Sequence, residues 1–267
     1  MIFPNIDPVA FQLPIPFLGW WPVHWYSITW IIAFLGIHIL LNRRKGLLDK
    51  DQTGDLMFWG LLGAIVGGRL GYMIFYGSQR LVEDPMSVFY VWEGGLSFHG
   101  GLLGVLISCF TLSIRWKVKF FSIMDFVAPA MPIGLGSVRI GNFINAELLG
   151  RPTELPWGMI FPTDPEGLLR HPSQLYQAFA EGVILFLIIN LYIKKDRPIM
   201  ATSSIFLIAY GSLRFITEFF REPDSHIGFT FLDIFTRGQM LSIPMILFGL
   251  MLLFYSYKWT KRNETIS

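Results

Sequence analysis

The sequence predicts an all-α polytopic membrane protein of about seven transmembrane helices, its N-terminus periplasmic and its C-terminus cytoplasmic. Three observations carry that expectation. Hydrophobic residues make up 53% of the 267 and only 15% carry charge, against roughly 25% in a soluble chain. Mean hydropathy is +0.51, and 25 Phe and 9 Trp are more than one soluble core of this size buries. Lys and Arg also gather on one side of the apolar stretches. The 21 basic and 19 acidic residues nearly cancel, so net charge gives no sign of a nucleic-acid partner. The single Cys109 excludes a disulfide framework and a Cys-rich metal site. With no His-Glu-x-x-His run and no Gly-x-x-x-x-Gly-Lys loop, no metal and no cofactor are expected.

A helix crosses the hydrocarbon core in about 20 mostly apolar residues. Seven stretches qualify, at roughly 25–42, 57–76, 96–114, 120–140, 174–193, 201–220 and 238–257. Trp20, Trp21, Trp25, Tyr26 and Trp30 at the start of the first read as an interfacial aromatic belt. The first 24 residues hold no Lys or Arg, so the n-region of a cleaved secretion signal is missing. Pro129, Pro132, Gly134 and Gly136 interrupt the fourth stretch. Such a break persists at membrane depth only where protein or a wet cavity satisfies the freed backbone, which points weakly to a site. Gly67 to Gly71 and Gly136 to Gly141 share a Gly-x-x-Arg-x-Gly-like pattern, read as small residues that let helices approach. One integral membrane domain, 1–267, is expected, with an outer loop region at about 142–173.

Orientation follows from the positive-inside rule. Thirteen basic residues lie on one side: Arg43, Arg44, Lys45 and Lys50; Arg115, Lys117 and Lys119; Lys194, Lys195 and Arg197; Lys258, Lys261 and Arg262. The other side holds five, Arg80, Arg151, Arg170, Arg221 and Arg237. The thirteen are assigned to the cytoplasm.

Three arginines interrupt apolar spans: Arg69, Arg139 and Arg214. Each costs ~2.5–3.5 kcal/mol at a helix centre, so each needs a protein interior or a polar ligand. All three fall in the outer halves of their spans. His99, among glycines from Gly94 to Gly101, also lies toward that face and is read either as a structural hydrogen-bonding group or as a chemical one. Arg139 leads into Asn142, Asn145 and Glu147. Snorkelling explains the arginine but not its neighbours. Tyr210, Arg214, Glu218 and Arg221 fall within about 80° on a helix of period 3.6. An internal Arg214–Glu218 pair is the structural alternative, and it leaves Tyr210 and Arg221 unexplained.

The run His171-Pro172-Ser173-Gln174 reads first as a helix start. Cys109 in its apolar run is no nucleophile, and Ser97 and His99, two residues apart on one helix, cannot form a dyad within it. Guanidinium forks match phosphate oxygens, and in the outer leaflet the available phosphate is a phospholipid headgroup.

At these residues the sequence resembles the bacterial prolipoprotein diacylglyceryl transferases. The matching runs are Ser97 to Gly101, Arg139 to Glu147, Gly150-Arg151-Pro152, His171 to Tyr176, and Tyr210 to Arg214 with Glu218 through Asp224. The resemblance implies transfer of the diacylglyceryl group of phosphatidylglycerol to the lipobox cysteine thiol of preprolipoprotein signal peptides, giving a thioether and glycerol 1-phosphate. It implies a multi-pass protein of the bacterial cytoplasmic (inner) membrane, embedded among membrane lipids, with its site toward the periplasmic leaflet. By position it implies catalytic roles for His99, Arg214 and Tyr210. Substrate binding is assigned to Arg139, Asn142, Glu147, Tyr26, Glu218, Arg69 and Arg221. His99 is the general base if the thiol reaches it; thiolate favoured by the arginines alone is the other source. A transporter or flippase for an anionic lipid has a similar arginine cavity but needs access from both faces, which the one-sided arginines argue against.

Overall fold

The computed structural model describes residues 1–4, 6–16, 19–44, 46–223, 229–231 and 235–264. Lys45 and Asp224, used above, lie outside the described residues. Eight helices carry the fold: α1 Trp25–Arg43, α2 Lys50–Phe75, α3 Phe98–Trp116, α4 Phe120–Val127, α5 Met131–Ile144, α6 Ser173–Tyr192, α7 Ala201–Thr217 and α8 Arg237–Glu264. Five are long and apolar enough to cross a membrane, or six if α4 and α5 form one broken span. The difference from seven lies in α7. It has 17 residues, and its first turn buries the polar Thr202, Ser203 and Ser204. Along the spans, side chains such as Leu35, Phe58, Ile107 and Leu247 are exposed, as a lipid-facing surface requires.

The chain packs as two compact units, one of Leu41–Phe126 and one of Met1–Leu40 with Val127–Ser267. In the first, α2 begins seven residues before its apolar run because Asp49 and Gln52 form a reciprocal capping box. Helix α3 starts at Ser97, whose Oγ accepts from the Gly100 N–H at 3.3 Å. The two helices meet through Gly63, Gly67 and Gly71 against Gly100 and Gly104. A Cβ on Gly67 or Gly104 would strike the carbonyl oxygen facing it. Small residues do here what apolar burial does in water, because lipid tails leave little hydrophobic drive between helices.

In the second unit, β1 Val9–Ile15 and β2 Gly19–His24 form an antiparallel hairpin ahead of α1. Trp20 and Trp21 therefore sit exposed on a strand, not on the first span. Helix α5 runs along α1, tied by Ser137 Oγ donating to the Thr29 carbonyl at 2.7 Å. The break before α5 falls at 128–130, and Asn190 Nδ2 of α6 donates to the Pro129 carbonyl at 3.2 Å. The backbone freed by proline is satisfied by protein. Gly134 and Gly136 lie inside α5, not at the break. Helix α6 carries a π-helical segment, Ala178–Ile184.

The segment between α5 and α6 is closed by two devices. Phe3, Ala146 and Phe161 are buried together, with Phe143, Leu149 and Met159 around them; a phenyl ring moved from water into such a cluster stabilises by about 1.5–3 kcal/mol. Arg170 holds Asp164 in a two-pronged pair, Nε to Oδ2 at 2.7 Å and Nη2 to Oδ1 at 3.1 Å. Glu166 joins at 2.7 Å and Glu222 at 3.5 Å. The Arg170 bond holds the Asp164 carboxyl below the usual carboxylate range, against the opposing effect of burial. Residues 149–153 thread between 169–171 on one side and 220–222 on the other, through Thr153 N to Leu169 O, His171 N to Arg151 O, Arg151 N to Phe220 O and Glu222 N to Leu149 O.

Candidate functional site

Glu181 is wholly buried in an otherwise apolar stretch of α6. A carboxylate there requires a partner, and the structure gives it two. Arg139 Nε of α5 donates to Glu181 Oε2 at 3.1 Å. Arg214 Nη1 of α7 stands 3.8 Å from Glu181 Oε1. What brings α5 to α6 is a glycine crossing: a Cβ built on either Gly136 or Gly182 would lie 2.9 Å from the Cα of the other. Arg139 is three residues beyond one glycine, and Glu181 immediately precedes the other. The π segment, whose extra residue per turn shifts side chains around the axis, sets the face on which Glu181 emerges.

Arg214 also pairs with Glu218 one turn on, Nη2 to Oε2 at 2.8 Å. The Glu218 carboxylate is buried and accepts a bond from Thr236 Oγ1 at 3.1 Å. Tyr210 stands one turn before Arg214, its ring stacked on Phe206 at 5.6 Å, within electrostatic reach of Glu181, Arg214, Arg139 and Glu218. The alternative reading of an internal Arg214–Glu218 pair is therefore observed, but the pair is one part of a four-charge cluster. Two cations and two anions balance. Each arginine is held through one nitrogen or one edge. The Arg139 Nη pair carries no hydrogen bond among the described residues, and buried Arg214 Nη1 makes none. A guanidinium held from one side with donors left over is prepared for a further oxyanion. One turn before Glu181, Gln177 is buried with both amide atoms unpartnered.

Around the end of α5, Asn142 is buried and Asn145 Nδ2 donates to Glu147 Oε1 at 2.7 Å. Asn142 Nδ2 lies 3.5 Å from Glu147 Oε2. Glu147 itself is exposed, held between Ala146 at φ 52° and Leu148 at φ 55°. Left-handed conformations at two non-glycine residues cost roughly 1–3 kcal/mol each, strain that tends to collect at functional sites. Tyr26 of α1 packs its ring beside Gly141. Arg221 does not share the α7 stripe: the α-helix gives way at Thr217 to a 3-10 turn, and Arg221 is extended. Its carbonyl accepts from Arg151 Nε at 3.0 Å.

Two expected site residues stand in the Leu41–Phe126 unit. His99 is exposed in the first turn of α3, its ring edge-on to Phe98 at 5.6 Å. Arg69 is buried and donates to the carbonyls of Ser87, Val88, Gly94 and Gly95, so its guanidinium organises the 84–95 connection. Among the described residues no cluster of three His, Cys, Asp or Glu is placed to ligate a metal. Sequence reasoning missed Glu181. The signal was present as the lone carboxylate within 174–193, subject to the same membrane cost as the arginines.

A family model described as prolipoprotein diacylglyceryl transferase matches residues 8–255. Proteins named phosphatidylglycerol–prolipoprotein diacylglyceryl transferase are similar over nearly full length. That of Pseudomonas syringae is 48% identical over 262 residues, 96% of this chain and 95% of its own. That of Photobacterium profundum is 48% identical over 97% and 96% of the two chains, and that of Pseudomonas fluorescens 49% identical over 96% and 95%.

Proposed function

The chain belongs to the prolipoprotein diacylglyceryl transferase family, and from that premise we infer how its buried charge cluster does the transfer. The protein is a multi-pass membrane enzyme that moves the diacylglyceryl group of phosphatidylglycerol to a prolipoprotein. In the step, the cysteine sulfur of the lipobox forms a bond to the glyceryl carbon while that carbon's bond to the phosphate oxygen breaks. The thiol proton goes to a base, and the electron pair leaves on glycerol 1-phosphate. Negative charge therefore grows on a phosphate ester. Prearranged cations in a water-poor site stabilise such charge better than water does.

The observation that carries this reading is Glu181 with an arginine on each carboxylate oxygen. It fixes Arg139 from behind through Nε and leaves the Arg139 Nη fork for phosphate oxygens, while Arg214 is held at the same carboxylate and at Glu218. Tyr210 adds a hydroxyl to that face. Glu218 orients Arg214, and Asn142, Glu147 and Tyr26 set the lipid's placement. Arg69 acts through the 84–95 backbone that it holds, and Arg221 is assigned to substrate binding by the likeness of its run. The likeness of the Ser97–Gly101 run supports His99 as general base for the thiol, whose unperturbed pKa is about 8.5. Thirteen basic residues against five support an N-out arrangement of up to seven spans in the cytoplasmic membrane, with the cluster facing the periplasmic leaflet. The match over residues 8–255 supports reading the chain as a single integral membrane domain, within which about 142–173 is assigned to an outer loop region.

The test is purified protein with phosphatidylglycerol labelled in the diacylglyceryl group and a lipobox peptide. Labelled thioether is expected from wild type and none from Arg139→Ala, with Arg139→Lys recovering a part because ammonium cannot bond as a fork. Full activity in Arg139→Ala would refute the phosphate assignment.

A further inference from the structure

Thr236 closes a chain of contacts that ends on Arg214. Residues Thr236-Arg237-Gly238-Gln239 open α8 as a capping box. The Thr236 N–H donates to Gln239 Oε1 at 3.1 Å, and the Gln239 N–H donates back to Thr236 Oγ1 at 3.3 Å. A hydroxyl has one proton. With its oxygen accepting from Gln239, that proton is directed to the Glu218 carboxylate, acceptor-only when ionised, at 3.1 Å. The other carboxylate oxygen meets Arg214 Nη2 at 2.8 Å. Thr236, Gln239 and Glu218 are all buried. Gly238 leaves the room: a Cβ there would lie 2.7 Å from the Glu218 carboxyl carbon and from Oε1. The carboxylate thus rests against the first turn of α8, where the partial positive charge of a helix N-terminus favours an anion. Three separate features of four residues serve one carboxylate, where capping alone needs neither the proton direction nor the glycine.

We propose that Thr236 is a positioning residue for Arg214, acting through Glu218 with Gly238 as the space that admits the carboxylate. The proposal rests on Arg214 stabilising the leaving phosphate. A charge-assisted hydrogen bond is worth enough that its loss lowers kcat about 10–100-fold. The KM for phosphatidylglycerol should change little, because the role is to hold a group needed most in the transition state.

The experiment is a double-mutant cycle on the full chain in membranes, Thr236→Val and Glu218→Gln singly and together, with kcat and KM for thioether formation and protein level measured for each. Thr236→Ser is expected to restore most of what Thr236→Val loses. Adding Thr236→Val to Glu218→Gln should lower kcat by less than about 3-fold, because residues acting through one another are not additive. Where Thr236→Val fails to accumulate, Gly238→Ala keeps the capping hydroxyl and is expected to give the same kcat loss. Additive losses, or a wild-type kcat in both Thr236→Val and Gly238→Ala, overturn the proposal while leaving the transferase reading intact. A wild-type protein that forms no thioether overturns both.

Discussion

Replacing Gly182 with alanine tests whether the glycine crossing sets the arginine geometry. The added methyl would lie 2.9 Å from the Gly136 Cα, while carbons in contact prefer about 3.5–4.0 Å. The two helices must then separate by roughly 0.6–1.1 Å. The Arg139 Nε to Glu181 Oε2 contact, now 3.1 Å, moves beyond the ~3.2 Å end of the usual hydrogen-bond range. A misplacement of about 1 Å in a catalytic frame costs on the order of 100-fold in rate, alongside about 1–3 kcal/mol of stability from overpacking. Thioether formation per amount of membrane-inserted protein is the assay, with Gly136→Ala as the reciprocal variant. Gly134→Ala is the control, since its methyl meets only the flexible end of Ile37 at 3.2 Å. A Gly182→Ala protein that transfers lipid as fast as wild type refutes the idea that the crossing places Arg139.

Three other outcomes are expected. Glu181→Gln leaves two buried cations short of a partner, and breaking such an arrangement costs about 3–5 kcal/mol; thermal unfolding in detergent should shift down and transfer should be nearly lost, whereas an active, equally stable variant removes Glu181 from its central place. Because Asp164 is held below its usual range in the fold, its tie to Arg170 is fully present above the unfolded value of about 3.9. It is lost as pH falls through the lower folded value, so proteolysis within 155–170 should rise only in acid, and Asp164→Asn should show that susceptibility already at neutral pH. Cys109, buried in α3, is not the attacking thiol, so Cys109→Ser should keep most activity; a folded but inactive variant would point to a covalent enzyme intermediate.

Much of this was legible in the sequence, and the exceptions have physical causes. Long apolar runs and an arginine's cost in lipid need no partner to be recognised, so α1, α2 and the need of Arg139 and Arg214 for a polar partner could be read locally. The break at Pro129 was visible too, but not that Asn190, sixty-one residues on, satisfies it. The α7 stripe extrapolated a helix past Thr217, and Arg221 left the expected face because a 3-10 turn changes the period. Glu181 sets a further limit on pairwise reasoning. Exchanging Arg214 and Glu218 does not simply rewrite one pair, since a carboxylate at 214 would meet Glu181 as well. The hairpin at 9–24 escaped notice because its aromatics suit an interfacial belt equally well. Arg170 and Asp164 lie in a segment without periodicity, where only tertiary contact reveals the pair.

The way the four charges are distributed along the chain bears on how the protein enters the bilayer. Arg214 and Glu218 are one turn apart, so the end of α7 is delivered as an internally neutralised couple. Arg139 and Glu181 arrive on successive spans, each alone carrying a charge whose insertion costs ~2.5–3.5 kcal/mol. Partitioning α5 and α6 together as a hairpin, joined at Gly136 and Gly182, lets Arg139 and Glu181 neutralise each other before α7 is made. At no stage of synthesis need the membrane then accept an unmatched ion from these helices. The buried charge cluster is thereby compatible with a chain that inserts in order from its N-terminus, with α5 and α6 entering as a pair.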